Sequence, residues 1–271
     1  MRNKKIVVIR GAGDLASGVA HRLFLAGFGI IMTEIEHPLA IRRKVSFSEA
    51  IYDGKATVEG AKAIRISSAQ EAYNVIKDGK IAVIVDPEAR ITKEFCPVAL
   101  VDAIMAKMNT GTSISDASVV IALGPGFTAG VDCHAVVETK RGHYLGKVYY
   151  KGSALPDDKT PAVVEGMTHQ RVLRASADGP FESTFSIGDY VVEGDEVGRC
   201  SGTPLVAKAS GIIRGLLRNG IVVKAGMKIG DVDPRGVYDY CFTISDKARS
   251  IGGGVLEALL SIIGLPRSDT Y

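Results

Sequence analysis

The sequence predicts an α/β fold class, with a mostly parallel sheet followed by a duplicated β domain and a C-terminal helix. Three observations predict it. Short apolar runs alternate with helix-period stretches through the first 150 residues. Glycines then recur at a fixed 32-residue offset, and an apolar helical run closes the chain at 255–263. At 271 residues, 46% hydrophobic and 23% charged, the chain buries a large core without staples. Disorder, collagen-like repeats and a disulfide scaffold are excluded.

Charge and cysteine usage narrow the function classes. A net charge of +3, from 33 basic and 30 acidic residues, is too balanced for a nucleic-acid partner. No apolar run approaches the ~18 residues that span a membrane. The opening MRNKKIVVIRGAG reads as a strand and a glycine turn, not a signal peptide. Cys96, Cys133, Cys200 and Cys241 are widely spaced, which predicts a reducing, cytoplasmic setting. The histidines are scattered without an HExxH, so no stably bound metal is expected.

Residues 4–10 form the first predicted strand, and GAGDLASG follows at once. Leu15, Val19, Leu23 and Leu25 trace a helix face up to Gly27, and a second strand covers 29–35 before Pro38. In this Rossmann-like βαβ unit Gly11, Gly13 and Ala16 fit G-x-G-x-x-G/A. Glu34 lies about 20 residues on, where a dinucleotide fold places its ribose-binding acid. The glycines supply clearance, so that a diphosphate can approach the helix N-terminus. Asp14, in the first helical turn, can cap the helix, yet its carboxylate repels a diphosphate. Arg10 either offsets that charge or pairs with Asp14. The loop reads as a site for a small anionic ligand, a dinucleotide or another.

Further elements follow in order. Ser68 and Glu71 make a capping box ahead of a helix over 69–77, and 81–85 is an apolar strand ending in Asp86-Pro87. Residues 97–108 read as a helix and 119–123 as a buried strand. A second glycine loop, GPGFTAGVDCH, carries Gly124, Gly126 and Gly130. It shares a predicted rim with Asp86, Glu34 and the first loop, because ligands gather beyond the carboxyl ends of parallel strands. Cys133 is either a thiolate nucleophile or sulfur carrier, beside His134, or a cysteine packed inward from a strand. Cys241 is a second candidate for holding sulfur or selenium.

The domain reading places an α/β domain at 1–150 and a linker rich in Gly, Pro, Asp and Lys at 151–170. A β domain follows at 171–235, and a C-terminal loop and helix at 236–271 pack back on the first domain. Gly179, Gly188, Gly194 and Gly198 recur as Gly211, Gly220, Gly226 and Gly230. The turn at 188–195 matches G-D-x-V-x-x-G-D, and the pattern resembles the biotinyl/lipoyl-like barrel-sandwich. The hairpin at 199–204 has no lysine, which disfavours a swinging-arm carrier. Three glycines at 252–254 would cost a helix about 3 kcal/mol relative to alanine, so a loop or very close packing is expected there. Lys247 and Arg249 beside them either meet an anion on the rim or form a solvated pair. The densest basic run, Arg42-Arg43-Lys44, reads as a solvated loop or as a grip on an anion.

Longer stretches carry a family resemblance: IRGAGDLASGVAHRL, IRRKVSFSEA, VDAIMAKMNTGT, ALGPGFTAG, ETKRGHYLGKV, IRGLL, GDVDPRG and SDKARSIGGGVLEALL. They resemble the YqeB family of accessory proteins for selenium-dependent molybdenum hydroxylases, which is related to XdhC/CoxI proteins. That resemblance implies a cytosolic maturation factor that binds molybdenum cofactor, takes the hydroxylase apo-enzyme as partner and aids sulfur or selenium insertion. It supplies no catalytic residues. The residues themselves leave two alternatives beside it, an NAD-dependent oxidoreductase and a non-catalytic scaffold that docks a partner enzyme. An oligomer is compatible with each.

Overall fold

The structure is a computed structural model that describes residues 4–158 and 163–264. Its first part holds nine strands: β1 (Ile6–Arg10), β2 (Gly29–Glu34), β3 (Lys55–Val58), β4 (Ala61–Ile66), β5 (Ile81–Val85), β6 (Ala99–Asp102), β7 (Val120–Leu123), β8 (Ala135–Val137) and β9 (Val148–Tyr149). They form one sheet in the order β3-β4-β5-β2-β1-β6-β7-β8-β9. Strands β4 to β8 pair in parallel, and antiparallel β3 and β9 close the two edges. The central strands are apolar and buried on both faces, as a sheet covered on both sides requires.

Five helices accompany the strands: α1 (Asp14–Leu25), α2 (Glu49–Asp53), α3 (Ala69–Lys77), α4 (Thr92–Phe95) and α5 (Asp246–Ile263). The cap of α3 differs slightly from the expected box. The Ser68 hydroxyl accepts from the Glu71 N–H at 3.3 Å, but the Glu71 carboxylate accepts from Ser67 N–H at 2.9 Å rather than from Ser68. The helix expected over 97–108 is instead strand β6, buried throughout, followed by a turn. A short apolar run carries no periodicity that separates the two states, and pairing with β1 and β7 decides it.

The tail takes the second of its two expected forms, very close packing rather than a loop. Helix α5 runs unbroken through Gly252, Gly253 and Gly254 and packs against α1. A Cβ at Gly18 would lie 2.7 Å from the Ala248 Cβ, and one at Gly252 would lie 3.0 Å from the Gly18 carbonyl oxygen. Small residues on both helices thus let the backbones approach closely, and that packing offsets the helix cost of glycine.

The second part holds eight strands: β10 (Val172–Arg174), β11 (Gly179–Glu182), β12 (Tyr190–Val191), β13 (Glu196–Cys200), β14 (Thr203–Val206), β15 (Gly211–Leu216), β16 (Val222–Val223) and β17 (Lys228–Asp233). They make two four-stranded antiparallel sheets, β10-β17-β15-β12 and β14-β13-β11-β16. The expected fold class is corrected here. The described residues form a nine-stranded mixed sheet, antiparallel only at its two edges, plus two antiparallel sheets, not a duplicated biotinyl/lipoyl-like barrel. Of the recurrent glycines, Gly188, Gly194, Gly220 and Gly226 lie between strands and Gly179, Gly198, Gly211 and Gly230 within them, so their spacing does not determine which strands pair. Here β11 pairs with β16 and β12 with β15.

Residues 41–43 join the two parts. Leu216 N–H donates to the Ile41 carbonyl at 2.9 Å, and the Arg43 guanidinium donates back to the Leu216 carbonyl at 2.7 Å. Part of the expected linker, residues 159–162, lies outside the described residues.

Candidate anion-binding cleft

Strand β1 sits between β2 and β6, and the connections leave it in opposite directions. Open sheets place a crevice at such a switch point, beyond the strand carboxyl ends. A cavity of about 360 Å³ lies there, lined by Gly11, Gly13, Glu34, Leu39, Ile104 and Met105 among other mostly apolar residues. Gly11 needs its glycine: φ is +93°, and a Cβ would sit 3.0 Å from the Ala103 carbonyl oxygen. Gly13 has an ordinary φ of −67°, and a Cβ there would meet nothing within 4 Å. Its bareness leaves room at the helix mouth rather than in the fold. Ala16 is buried in the core behind it.

The charged residues of the first loop divide their work. Both Glu34 carboxylate oxygens accept backbone N–H groups, from Ala12 and Ile35, each at 2.9 Å. Burial pushes the carboxyl up, and those two hydrogen bonds pull against it. Glu34 therefore braces the loop. Arg10 is buried and donates to Asp102 at 3.3 Å, to the Thr112 hydroxyl and to the Pro87 carbonyl at 3.1 Å. It ties β1 to its neighbours and does not pair with Asp14. Asp14 accepts from the Leu15 N–H at 2.9 Å, with its second oxygen 3.9 Å from Arg42.

The second glycine loop runs into strand β8, so it opens no helix N-terminus. A Cβ at Gly124 would strike Thr139, and one at Gly126, where φ is +103°, would lie 2.6 Å from the Met108 backbone. Gly130, with φ at +87°, faces open space. Gly124 and Gly126 thus let the loop pack closely against its neighbours.

The two candidate nucleophiles are sealed. Cys133 is fully buried, and burial, with Asp132 nearby, pushes its thiol up to about 12. A nucleophilic or sulfur-carrying cysteine needs the opposite shift and access to solvent. His134 is not its base, because its Nδ1 accepts from the Val120 N–H at 2.9 Å. Cys241 is buried, its thiol donates to the Ile213 carbonyl at 3.7 Å, and burial raises its pKa too. With Cys200 also buried, Cys96 is the exposed thiol among the four. We expect a thiol reagent at pH 8 to label one cysteine per folded chain, Cys96, and the rest only after unfolding. Rapid labelling of Cys133 in the folded protein would refute its burial.

A second, more open cavity of about 770 Å³ adjoins the first, sharing Asp14, Leu15 and Met105 with it. Eight cationic residues line it, namely Arg42, Lys107, Lys140, Arg141, Arg171, Arg214, Lys228 and Lys247, against four aspartates. Most cations are engaged. Lys107 meets Asp157 at 2.7 Å and Lys140 meets Asp158 at 2.8 Å. Arg171 and Arg214 both grip buried Asp231, at 2.5 and 2.6 Å, and against burial Lys228, Arg214 and Arg171 together hold its carboxyl below the usual range. Arg141 forms a bidentate pair with Asp246 at 2.7 and 2.8 Å, which draws that carboxyl down to about 2.

Arg42 and Lys247 stand apart. Arg42 is 8% exposed and donates to the Tyr240 and Thr243 carbonyls at 2.8 and 3.0 Å, while its Nε has no hydrogen-bond partner. Arg42 of this basic run is thereby a buried clasp between the two parts, Arg43 is half-buried, and Lys44 alone remains exposed as a solvated loop would have it. Lys247 lines the cavity and makes no ion pair among the described residues. Burial lowers its pKa, with Asp14 pulling the other way. Arg249 instead pairs with Glu59 at 2.6 Å and does not line either cavity. Sequence reasoning did not single out Arg141, Arg171, Arg214 or Lys228. They come from distant segments, and only the packing of β8, β10, β15 and β17 brings them to one wall.

Among the described residues, no three His, Cys, Asp or Glu side chains group to hold a metal ion, and no helix is long and apolar enough to cross a membrane. Solved structures similar to this chain include an aspartoacylase family protein from Mesorhizobium loti, 14% identical over 85% of each chain with a TM-score of 0.28. A succinylglutamate desuccinylase/aspartoacylase from Rhodobacter sphaeroides is 12% identical, covering 85% of this chain and 86% of that one, with a TM-score of 0.23. At TM-scores this low the likeness does not extend to a reaction for this chain. No family model matches the sequence. The expected function is corrected accordingly. The solved neighbours carry aspartoacylase and desuccinylase names, and no comparison links the chain to molybdenum, selenium, hydroxylase maturation or the alternatives weighed beside it. On sequence, the chain is 50% identical over 259 residues to "Uncharacterized protein YqeB" of Escherichia coli (strain K12). That match covers 96% of this chain and 48% of the relative, so the chain is a homologue of YqeB that spans about half of its length.

Proposed function

We propose that the protein binds a small molecule with an uncharged, ring-sized body and a phosphate- or carboxylate-type anion. One observation carries this reading: the mostly apolar cavity at the glycine loop and the cation-ringed cavity share Asp14, Leu15 and Met105, so one ligand can reach both. The apolar body would rest against Gly13, Leu39 and Ile104, where burial drives binding. The anion would lie in the wider cavity, where fixed cations stabilise it without reorganisation.

Phenyl phosphate and inorganic phosphate separate the two arms in isothermal titration. Phenyl phosphate is expected to bind at least about tenfold tighter, the return from burying its ring. Gly13→Val, which puts a side chain into the apolar cavity at a backbone conformation valine tolerates, is expected to remove that advantage. Equal affinities of the wild type for the two probes, or no binding of either, would overturn the reading.

A further inference from the structure

We infer that Lys247 anchors the anion, as a phosphoryl-type dianion seated between the first turns of α1 and α5, and that Asp14 is the internal carboxylate it competes with. This rests on the anion-binding reading above and assigns its subsite.

The first turns of both helices reach the wider cavity, Asp14 and Leu15 from α1 and Ser245 and Lys247 from α5. Helix starts present unpaired N–H groups and a positive dipole end. On α1 the N-cap is Gly13, which has no side chain to occupy those donors. Asp14 takes the N–H of Leu15 and leaves the others. On α5 the Ser245 hydroxyl accepts from Ala248 N–H at 3.2 Å.

The cations around this point differ in how far they are already neutralised. Lys107, Lys140, Arg141, Arg171 and Arg214 each hold an aspartate within 2.9 Å. Lys228 stands 3.8 Å from Asp231. Lys247 holds no carboxylate among the described residues, yet it feels Asp14, Arg141 and Lys228 electrostatically. A half-buried ammonium without a counter-ion, facing other cations, is raised in energy until an anion arrives. Arg42 adds a second partly satisfied cation: it is 92% buried by its 8% exposure, its Nε is unpartnered, and its contact with Asp14 is a loose 3.9 Å.

Asp14 interacts with both of these cations and carries a single charge. A dianion arriving at the same place would gain more from Arg42, Lys247 and the helix starts, but would also feel Asp14. The carboxylate that reads as an obstacle to phosphate binding is therefore a brake on affinity, and removing its charge strengthens binding.

Inorganic phosphate titrations of the full chain test this. Lys247→Met is expected to weaken binding at least about fivefold, and Lys247→Arg to restore it, which separates charge from packing. Asp14→Asn keeps an oxygen for the Leu15 N–H and is expected to tighten binding about threefold. Lys224→Met, which removes an exposed charge outside the cleft, controls for net charge and is expected to leave binding unchanged. Lys247→Met at wild-type affinity, or Asp14→Asn that binds more weakly, would overturn the subsite while phosphate binding by the wild type keeps the broader reading. Absence of phosphate binding by the wild type would remove both.

Discussion

Replacing Gly254 by alanine is expected to destabilise the protein by about 1 kcal/mol, whereas the same change at Gly253 is expected to stabilise it by up to about 1 kcal/mol. Both residues lie in the interior of α5, where alanine outranks glycine by about 1 kcal/mol in propensity. What differs is the surroundings. A Cβ at Gly253 would meet nothing within 4 Å, so the propensity gain is realised in full. A Cβ at Gly254 would run into the Gly146 carbonyl and lie 2.8 Å from a Val137 methyl. The first of these is backbone and cannot rotate away, so the helix or the strand-end loop must shift. The overpacking cost of roughly 1–3 kcal/mol then exceeds the propensity gain. Urea unfolding of the two single variants measures the contrast, and a Gly254→Ala midpoint at or above that of the wild type would show that the α5 contact is looser than described.

Glu138→Gln is expected to cost about 3 kcal/mol and to abolish anion binding. Glu138 is fully buried at the end of β8. One carboxylate oxygen accepts from the Thr139 and Lys140 N–H groups, each at 2.8 Å, and the other accepts from Leu155 N–H at 2.8 Å. An acceptor-only group thus folds two separate segments, 139–142 and 155–158, around itself. Both segments line the wider cavity. Glutamine would replace one acceptor oxygen by an amide NH₂, and a donor would then face a donor in a buried site. At least one N–H would be left unsatisfied, and the loop carrying Lys140 and Arg141 would lose its anchor. Unfolding in urea together with a phosphate titration checks both halves of this expectation. An unchanged midpoint would mean that the loop is held by something else, such as the Lys140–Asp158 or the Arg141–Asp246 pair.

Elements with local causes were legible before any tertiary contact was known. The turn at Gly11, the helix face of α1, the strand β2 ending at Glu34 and the Ser68 cap of α3 all depend on residues within a few positions of one another. The misreadings and the open choices share the opposite cause. Residues 99–102 became a strand because β1 and β7 flank them, and the choice left open at 252–254 fell to close packing because Gly18 and Gly146 lie against Gly252 and Gly254. Of the two readings open for Cys133, the inward-packed one holds, because the chain entering β8 buries the thiol in the core.

The candidate site divides along the same line. The sequence by itself determined the glycine loop at the mouth of α1, the acid at the end of β2 and the near-balance of charge, because spacing and composition are local or global sums. Only the tertiary structure decided that Arg42, Arg141, Arg171, Arg214, Lys228 and Lys247 surround one cavity, and which of them are already paired. Charge pairing falls off over a few ångströms, whereas these residues are spread over some 200 positions of chain, so nothing short of the fold could bring them together.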